Sequence, residues 1–141
     1  MRGIVHVCLL FCFLAGGSLL RAADGAQQIT REQAESLVKK WLTGAGYPTR
    51  SQRFILDADP DRADFPTFYF FSASYVQEQS APTLGHFAIN RRTAELWDWE
   101  LCKKLSTPSL RVSQSSLRKK IGLTDEVFHE LSKSAPCSGP S

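Results

Sequence analysis

The sequence predicts an α+β fold in which one helix packs on an antiparallel sheet of three or four strands and a helical pair follows the sheet. Apolar residues recur at helical spacing after residue 30, strand-favouring residues dominate from 53 to 99, and helical spacing returns after residue 101. The connections between the strand segments are too short for parallel crossovers, so the strands should be antiparallel. With 141 residues, 43% of them hydrophobic, the chain can bury its own core, and we expect one domain.

The first helix should begin after Thr30, because Thr30 and Gln33 have the spacing of a capping box, in which each side chain bonds the other residue's backbone N–H. Residues three or four positions apart form its apolar face: Ala34, Leu37, Val38, Trp41 and Leu42. Gly44 and Gly46 end the pattern. We therefore predict an amphipathic helix with these side chains in the core.

Four segments have the composition of strands, and we place them at 53–58, 67–76, 84–90 and 94–99. The second carries aromatic side chains at both odd and even positions, so both of its faces should be covered. It is therefore expected to be a central strand.

The loop 57–64, between the first two strands, has Asp at alternate positions, as the start of a calcium-binding loop does. Arg62 and Phe68 stand where such a loop needs a Gly and a bidentate Glu. We interpret this segment as a solvated connection.

Two helices are predicted after the sheet. Thr107 caps the first, with Pro108 at its first position, and Thr124 caps the second. Two Cys in an exported chain most simply form one disulfide, so Cys102 and Cys137 should tie a helical extension, residues 99–137, to the sheet. A metal site lacks ligands, since these Cys and the two remaining His are isolated in the sequence.

Residues 1–23 have the pattern of a signal peptide, with a basic start, a mostly apolar stretch and small residues before Asp24. A retained membrane anchor is the alternative, because the apolar stretch approaches the length of a span. Cleavage would discard Cys8 and Cys12 and leave 24–141 as a single exported domain, periplasmic or secreted. Its charge is uneven, with seven basic and three acidic residues in 102–141 but eight and eleven in 24–101.

Two runs, Ile29-Thr30-Arg31-Glu32-Gln33-Ala34 and Gly85-His86-Phe87-Ala88-Ile89-Asn90-Arg91-Arg92-Thr93-Ala94-Glu95-Leu96-Trp97, resemble the PepSY-type repeat of exported bacterial proteins. The likeness spans about residues 29–98 and implies a cystatin-like layout of a helix on a sheet. It also implies a role in restraining peptidases or mediating contacts outside the cytoplasm, without a catalytic residue. Asn90 replaces the usual Asp, and Ala94 replaces the usual Gly, which argues against a turn that needs positive φ there.

The residues supply no recognised catalytic motif. His86 and His129 lack a neighbouring nucleophile pattern, and Gly44-Ala45-Gly46 follows a helix, whereas a phosphate-binding loop opens one. We therefore expect no catalytic residue, cofactor or metal. A small hydrolase remains an alternative if carboxylates or histidines converge in the fold.

We interpret the chain as a non-catalytic protein-binding domain, with an inhibitor or immunity-type protein that occludes an exported hydrolase or toxin as the sharpest version. An envelope structural or accessory protein is the alternative. Trp97 and Trp99 are candidate partner-binding anchors, although core packing would also explain them. Arg118, Lys119 and Lys120 are candidates for an acidic protein partner, and the competing interpretation is an ordinary solvated helix face.

Overall fold

A computed structural model describes residues 28–137, which form one five-stranded antiparallel sheet and three helices. In chain order the elements are α1 (Arg31–Gly44), β1 (Phe54–Ala58), β2 (Phe68–Tyr75), β3 (Thr83–Asn90), β4 (Leu96–Asp98), β5 (Lys103–Leu105), α2 (Pro108–Lys120) and α3 (Asp125–Leu131). The strand order across the sheet follows the chain, because each strand pairs with the next. The α+β prediction is confirmed. The predicted signal peptide, with Cys8 and Cys12, lies outside the described residues.

Helix α1 begins where the sequence predicts. Thr30 Oγ1 accepts a hydrogen bond from the Gln33 backbone N–H at 3.2 Å, and Gln33 Oε1 accepts one from the Thr30 N–H at 2.9 Å. The buried face of the helix consists of Ala34, Leu37, Val38 and Leu42. Trp41 is half-buried against the core, with its ring 5.5 Å from that of Phe87. The predicted helix is confirmed.

The two faces of the sheet carry separate apolar clusters. The helix face packs against α1 and the α2 residue Leu110, and it contains Phe71, Ala73, Phe87, Ile89 and Leu96. The opposite face, which we name the aromatic face, contains Phe68, Phe70 and Ala88, with Phe65, Trp97 and Trp99 packed against them. The period of two along each strand separates these sets. As predicted, β2 is covered on both sides.

The sheet has five strands because Lys103–Leu105 adds a short edge strand where the sequence predicts the start of the helical region. Its backbone pairs with β4, with Asp98 opposite Lys103 and Leu96 opposite Leu105. Three residues, two of them Lys, are too few and too polar to show strand alternation. Pairing with β4 forms this strand, so its own composition does not reveal it.

The β3–β4 turn contains Ala94 in the left-handed region, with φ 59°. The Asn90 carbonyl accepts from the Ala94 N–H at 2.9 Å, and Asn90 Oδ1 accepts from the Thr93 N–H at 3.0 Å. The expectation that Ala argues against positive φ here is wrong. The hydrogen bonds that Asn90 accepts and the complete burial of Ala94 hold Ala94 in a conformation that glycine would adopt without strain.

The C-terminal segment is tied to the β4–β5 turn. Cys102 and Cys137 form the predicted disulfide across a separation of 35 residues. The Trp99 indole N–H donates to the Pro136 carbonyl at 3.1 Å, and Pro136 is buried. The extension therefore reaches the aromatic face at the end of β4.

The acidic loop 57–64 is more than a solvated connection. Asp61 Oδ1 accepts hydrogen bonds from Arg31 and from Arg91, the latter at 2.7 Å. Both guanidinium groups also lie over the Tyr69 ring, at 4.8 and 4.2 Å. These contacts fasten the loop to the start of α1 and to the β3–β4 turn. Most of the loop is exposed, as predicted, but the sequence does not reveal the contacts of Asp61, because their partners come from distant parts of the chain.

Among residues 28–137, no helix combines the length and the hydropathy needed to cross a membrane.

Candidate functional site

One end of the aromatic face carries an arginine stacked on aromatic rings. The guanidinium carbon of Arg62 lies 4.3 Å from the centre of the Trp99 ring and 5.5 Å from that of Phe70. A shallow cavity of about 270 Å³ opens beside this stack, lined by Asp59, Pro60, Asp61, Arg62, Phe70 and Trp99. We name this set the aromatic pocket.

Three different elements build the aromatic pocket. Phe70 is buried in the middle of β2, Trp99 follows the last residue of β4, and Arg62 comes from the β1–β2 loop. Asp64 receives two hydrogen bonds from Arg62, at 3.4 and 3.2 Å, which orient the guanidinium group. The hydrogen bond from Arg62 also lowers the pKa of the Asp64 carboxyl below its ordinary value. Contacts within the chain therefore orient the arginine.

Next to the aromatic pocket lies a polar cluster of Asp59, Ser72, His86 and Glu100. Ser72 Oγ is 3.0 Å from both carboxylate oxygens of Asp59 and 3.0 Å from His86 Nδ1. On the other side of the imidazole, His86 Nε2 is 3.7 Å from Glu100 Oε1. Ser72 and His86 come together because they are opposite each other in the β2–β3 pairing.

The proton of the Ser72 hydroxyl decides what this cluster can do. A hydroxyl has one proton, and a carboxylate accepts it more strongly than a neutral nitrogen does. When Ser72 donates to Asp59, its contact with His86 is a hydrogen bond only in the tautomer whose Nδ1 carries the proton and donates to Ser72 Oγ. In that tautomer His86 cannot take the hydroxyl proton, and the contacts differ from those of a serine activated by a histidine.

The structure places the predicted anchors Trp97 and Trp99 on the aromatic face, and both are half-buried. Lys104 Nζ lies 5.1 Å from the centre of the Trp97 ring, while the buried Trp97 Nε1 has no hydrogen-bond partner. Trp99 has the Arg62 stack on its ring and the bond to the Pro136 carbonyl. Both rings pack against the apolar residues of the aromatic face. Of the two, only Trp99 lines the aromatic pocket.

The predicted basic residues lie in the helical layer, away from the tryptophans. Lys119 and Lys120 are exposed at the end of α2. Arg118 is half-buried, donates to the Thr93 carbonyl at 3.2 Å and lies 4.2 Å from the centre of the Phe128 ring. Burial lowers the pKa of its guanidinium group from the ordinary value. The solvated-face interpretation therefore holds for the two lysines and is wrong for Arg118, which joins α2 to α3 and to the β3–β4 turn.

An ion pair between the buried Glu95 and the partly exposed Lys104 lies just before β4. Glu95 is 7% exposed, its Oε1 lies 2.8 Å from Lys104 Nζ, and its Oε2 accepts from Thr93 Oγ1 at 3.1 Å. Hydrogen bonds to both carboxylate oxygens compensate for the burial of this charge. We interpret this ion pair as a structural contact that stabilises the β3–β4 turn.

Sequence reasoning missed Arg62, Ser72 and Glu100 as members of one site. In the sequence, Arg62 stands only where a calcium loop needs a Gly, and His86 is a strand histidine without a motif. Knowledge of the β2–β3 register would have shown that Ser72 lies opposite His86. The register depends on turn geometry, which short sequence segments encode only weakly. Within 28–137, no three His, Cys, Asp or Glu side chains are grouped so that they could hold a metal ion.

A larger groove, of about 540 Å³, runs between α1 and α2 on the other side of the molecule. Leu37, Lys40, Val112 and Leu117 are among its lining residues. Val112 is 71% exposed and also borders a second groove with Arg111 and Lys119. Neither of these two grooves is lined by an aromatic side chain.

No family model and no curated protein matches this chain. Among solved structures, the chain is similar to a chain of a type VI secretion system effector–immunity complex from Pseudomonas protegens, with a TM-score of 0.63 and 23% sequence identity. The match covers 75% of this chain and 88% of that chain. At this identity the likeness shows a shared fold, so the architecture described above occurs in a protein of that complex.

Proposed function

We propose that this chain is a non-catalytic protein-binding domain of the immunity type, which acts in the periplasm or outside the cell by covering the working surface of a toxin or hydrolase. The fold shared with a chain of an effector–immunity complex supports the protein-binding class. The observation that carries the proposal is the Arg62–Trp99 stack on a rigid sheet. Arginine and tryptophan are the residue types most enriched among interface residues that dominate binding energy.

The aromatic face suits this role because little has to be ordered on binding. Arg62 is 37% exposed in its side chain, so part of the guanidinium group stays available while its orientation is set by Asp64 and Trp99. Immobilising a long side chain at an interface costs roughly 0.5 to 1.5 kcal/mol, and here that cost is met within the free protein. The polar cluster beside it adds partly exposed donors and acceptors for the rim of an interface.

The proposal is tested by affinity capture from the envelope fraction, with the oxidised domain without residues 1–23 as bait. Three baits are compared: wild type, Arg62→Glu, and a Lys119→Glu/Lys120→Glu variant with reversed charges on α2. We expect one stoichiometric partner to be retained by wild type and by the α2 variant and to be lost with Arg62→Glu. Loss with the α2 variant alone would move the interface to the helical layer, and no partner with any bait would favour the envelope accessory role.

A small hydrolase is the second candidate, because Ser72, His86 and Glu100 form a serine–histidine–carboxylate sequence of contacts. The two Asp59 oxygens at 3.0 Å from the same hydroxyl speak against it, for the reason given above. Assays with activated esters on wild type and Ser72→Ala separate these functions. Equal, background-level turnover is expected for both proteins.

The relation to PepSY-type repeats, and with it the restraint of a peptidase, stays a prediction. It agrees with the proposed function in assigning binding without catalysis.

A further inference from the structure

We infer that the free edge of β1 is a dimerisation surface, at which β1 pairs antiparallel with β1 of a second copy of this chain about a two-fold axis at Ile55. The inference goes beyond the proposed function, because it concerns the rim of the sheet and not the aromatic pocket. The occupant follows from the strand itself, whose backbone groups, charges and exposed apolar side chain are complementary to those of its own copy.

Strand β1 is one of the two edges of the sheet, and the other edge is protected. In the described part of the chain β1 pairs only with β2, so one side of its backbone has no neighbouring strand. The opposite edge, β5, is three residues long and contains two lysines, features that discourage pairing between edges. Strand β1 has five residues and contains neither lysine nor proline. It is therefore the edge that is open to another strand.

The backbone groups on the free side of β1 belong to its even-numbered residues. At the two ends of the β1–β2 pairing, the Val76 N–H donates to the Arg53 carbonyl at 2.8 Å, and the Asp59 N–H donates to the Phe70 carbonyl at 3.0 Å. Hydrogen-bonded positions alternate along an antiparallel pair, so the odd-numbered residues of β1 face β2. The even-numbered residues, with Leu56 at their centre, direct their N–H and C=O groups to the free side.

A two-fold axis at Ile55 pairs even-numbered residues with even-numbered residues, as this backbone requires. The Leu56 N–H then donates to the Phe54 carbonyl of the second copy, and symmetry forms the same bond a second time. The Phe54 N–H is not needed for this pairing, since it already donates to the Ser51 carbonyl at 3.1 Å. The backbone alone would also admit an axis at Leu56, so the side chains decide between the two registers.

Two charged side chains of opposite sign favour the axis at Ile55. Arg53 and Asp57 are exposed, and within residues 28–137 neither forms an ion pair. Four residues of strand separate them by about 13 Å, so they cannot meet within one chain. About the axis at Ile55, Arg53 of each copy lies opposite Asp57 of the other, with Cβ atoms about 5 Å apart. An axis at Leu56 would instead set Ile55 opposite Asp57.

The apolar side chain at the axis is exposed in the single chain. Ile55 is 37% exposed, as is Val76, which lies diagonal to it on the same face because Arg53 is opposite Val76 and Ile55 is opposite Ser74. These are two of the five large hydrophobic residues that are exposed in the described chain. About the axis, Ile55 meets its own copy at a position without backbone hydrogen bonds, where opposing side chains approach closest. The pairing thus covers this side chain.

The dimer would present both aromatic pockets on one side. Phe54 and Leu56 pack against the core of the helix face, so Ile55 lies on the aromatic face of the sheet. Residues that are opposite each other in paired strands point to the same side, so the two sheets join with their aromatic faces continuous. A partner with two copies of its own binding surface could then engage both pockets.

Sedimentation velocity tests the pairing on the oxidised protein purified from the envelope fraction. We expect a monomer–dimer equilibrium that shifts across an about hundred-fold range of protein concentration. Arg53→Asp and Asp57→Arg each place like charges opposite each other at both ends of the interface and should weaken dimerisation at least about 10-fold. Lys119→Asp is the matched control, because Lys119 is exposed at the end of α2, and its dimerisation should stay within about 2-fold of wild type.

An equimolar mixture of the two single variants tests the register directly. One variant has acidic side chains at both positions and the other has basic side chains at both, so each repels its own copy and complements the other. We expect the mixture to dimerise within about 2-fold of wild type, and the double variant Arg53→Asp/Asp57→Arg to dimerise by itself to the same extent. A folding defect in either single variant would not be repaired by mixing.

A wild-type protein that stays monomeric at every concentration would overturn the inference. A dimer that resists both single variants would also overturn it, because self-association would then use another surface. Equal weakening by Lys119→Asp would show a general effect of charge, and a mixture that stays monomeric would exclude the pairing of Arg53 with Asp57. These samples contain no toxin or hydrolase, so each of these results would leave the proposed function intact.

Discussion

Opening the Cys102–Cys137 disulfide should lower the free energy of unfolding by about 3 kcal/mol. The perturbation is the double variant Cys102→Ser/Cys137→Ser, which leaves the side-chain volumes nearly unchanged. The bridge closes a separation of 35 residues, and a loop of that length restricts the unfolded chain by about 4 kcal/mol at 25 °C on the chain-entropy account. About 1 kcal/mol of this is offset, because residue 102 can leave its positive φ once the bridge is absent.

The assay is equilibrium unfolding in urea, followed by tryptophan fluorescence. Trp99 is a suitable reporter because its indole N–H bonds to Pro136, next to the bridged Cys137. The slope of free energy against urea should rise in the double variant, since the unfolded chain without the cross-link exposes more surface. Trp99→Phe is the control for the neighbouring contacts and is followed by circular dichroism, because it lacks the reporter. It should cost at least about 1 kcal/mol with the disulfide intact, since it removes the bond to Pro136 and part of the ring packing.

A loss below about 1 kcal/mol in the double variant would refute this reasoning. It would mean that contacts of the C-terminal segment, and not the covalent bond, hold the extension against the sheet. A loss well above 5 kcal/mol would refute it in the other direction, because the bridge would then be required for the fold itself.

Three further changes test other parts of the structure. Ala94→Gly should change the unfolding free energy by less than about 1 kcal/mol in urea unfolding, because relief of the positive φ offsets the loss of a buried methyl group. In the same assay, Ala94→Val should destabilise the protein by about 2 kcal/mol or more, because a β-branched side chain does not fit this buried position. Arg118→Ala should lower the free energy of unfolding by about 2 kcal/mol, because it removes the hydrogen bond to the Thr93 carbonyl and the contact with the Phe128 ring. The Lys119→Ala/Lys120→Ala double variant should lower it by less than about 0.5 kcal/mol. Similar losses for the two variants would contradict the role assigned to Arg118. Incubation with a fluorophosphonate should leave Ser72 unlabelled by intact-mass measurement, as expected of a binding domain in which Ser72 donates to Asp59 and not to His86. Stoichiometric labelling would favour the hydrolase.

Elements with local signals could be predicted closely. All three helices begin after a threonine that caps them, at Thr30, Thr107 and Thr124, as the sequence indicates. Capping depends on residues within one turn of one another, so it is visible without knowledge of the fold. The strands up to β4 could also be located, because alternation and β-branched or aromatic content are local properties.

Elements that depend on pairing and packing could not be predicted. β5 forms through its pairing with β4, and Ala94 keeps its positive φ because Asn90 and the core around it fix the turn. In both places the conformation is decided by backbone pairing and burial and not by the residue's own propensity. The sequence does not show that Thr93, 25 residues away, and Phe128 lie beside Arg118, so a solvated face is a natural expectation for it.

The sequence by itself determined the α+β class, the caps, the aromatic central strand and the cysteine pair, because periodicity, capping and cysteine count need only neighbouring residues or simple arithmetic. The tertiary structure alone decided which side chains share the aromatic face, that Arg62 stacks on Trp99, and that Ser72 meets His86 between Asp59 and Glu100. The physical reason is register: a shift of one residue in a strand pairing would move Ser72 or His86 to the other face of the sheet, away from the loop residues that meet them. The candidate site therefore exists only once the strands are paired.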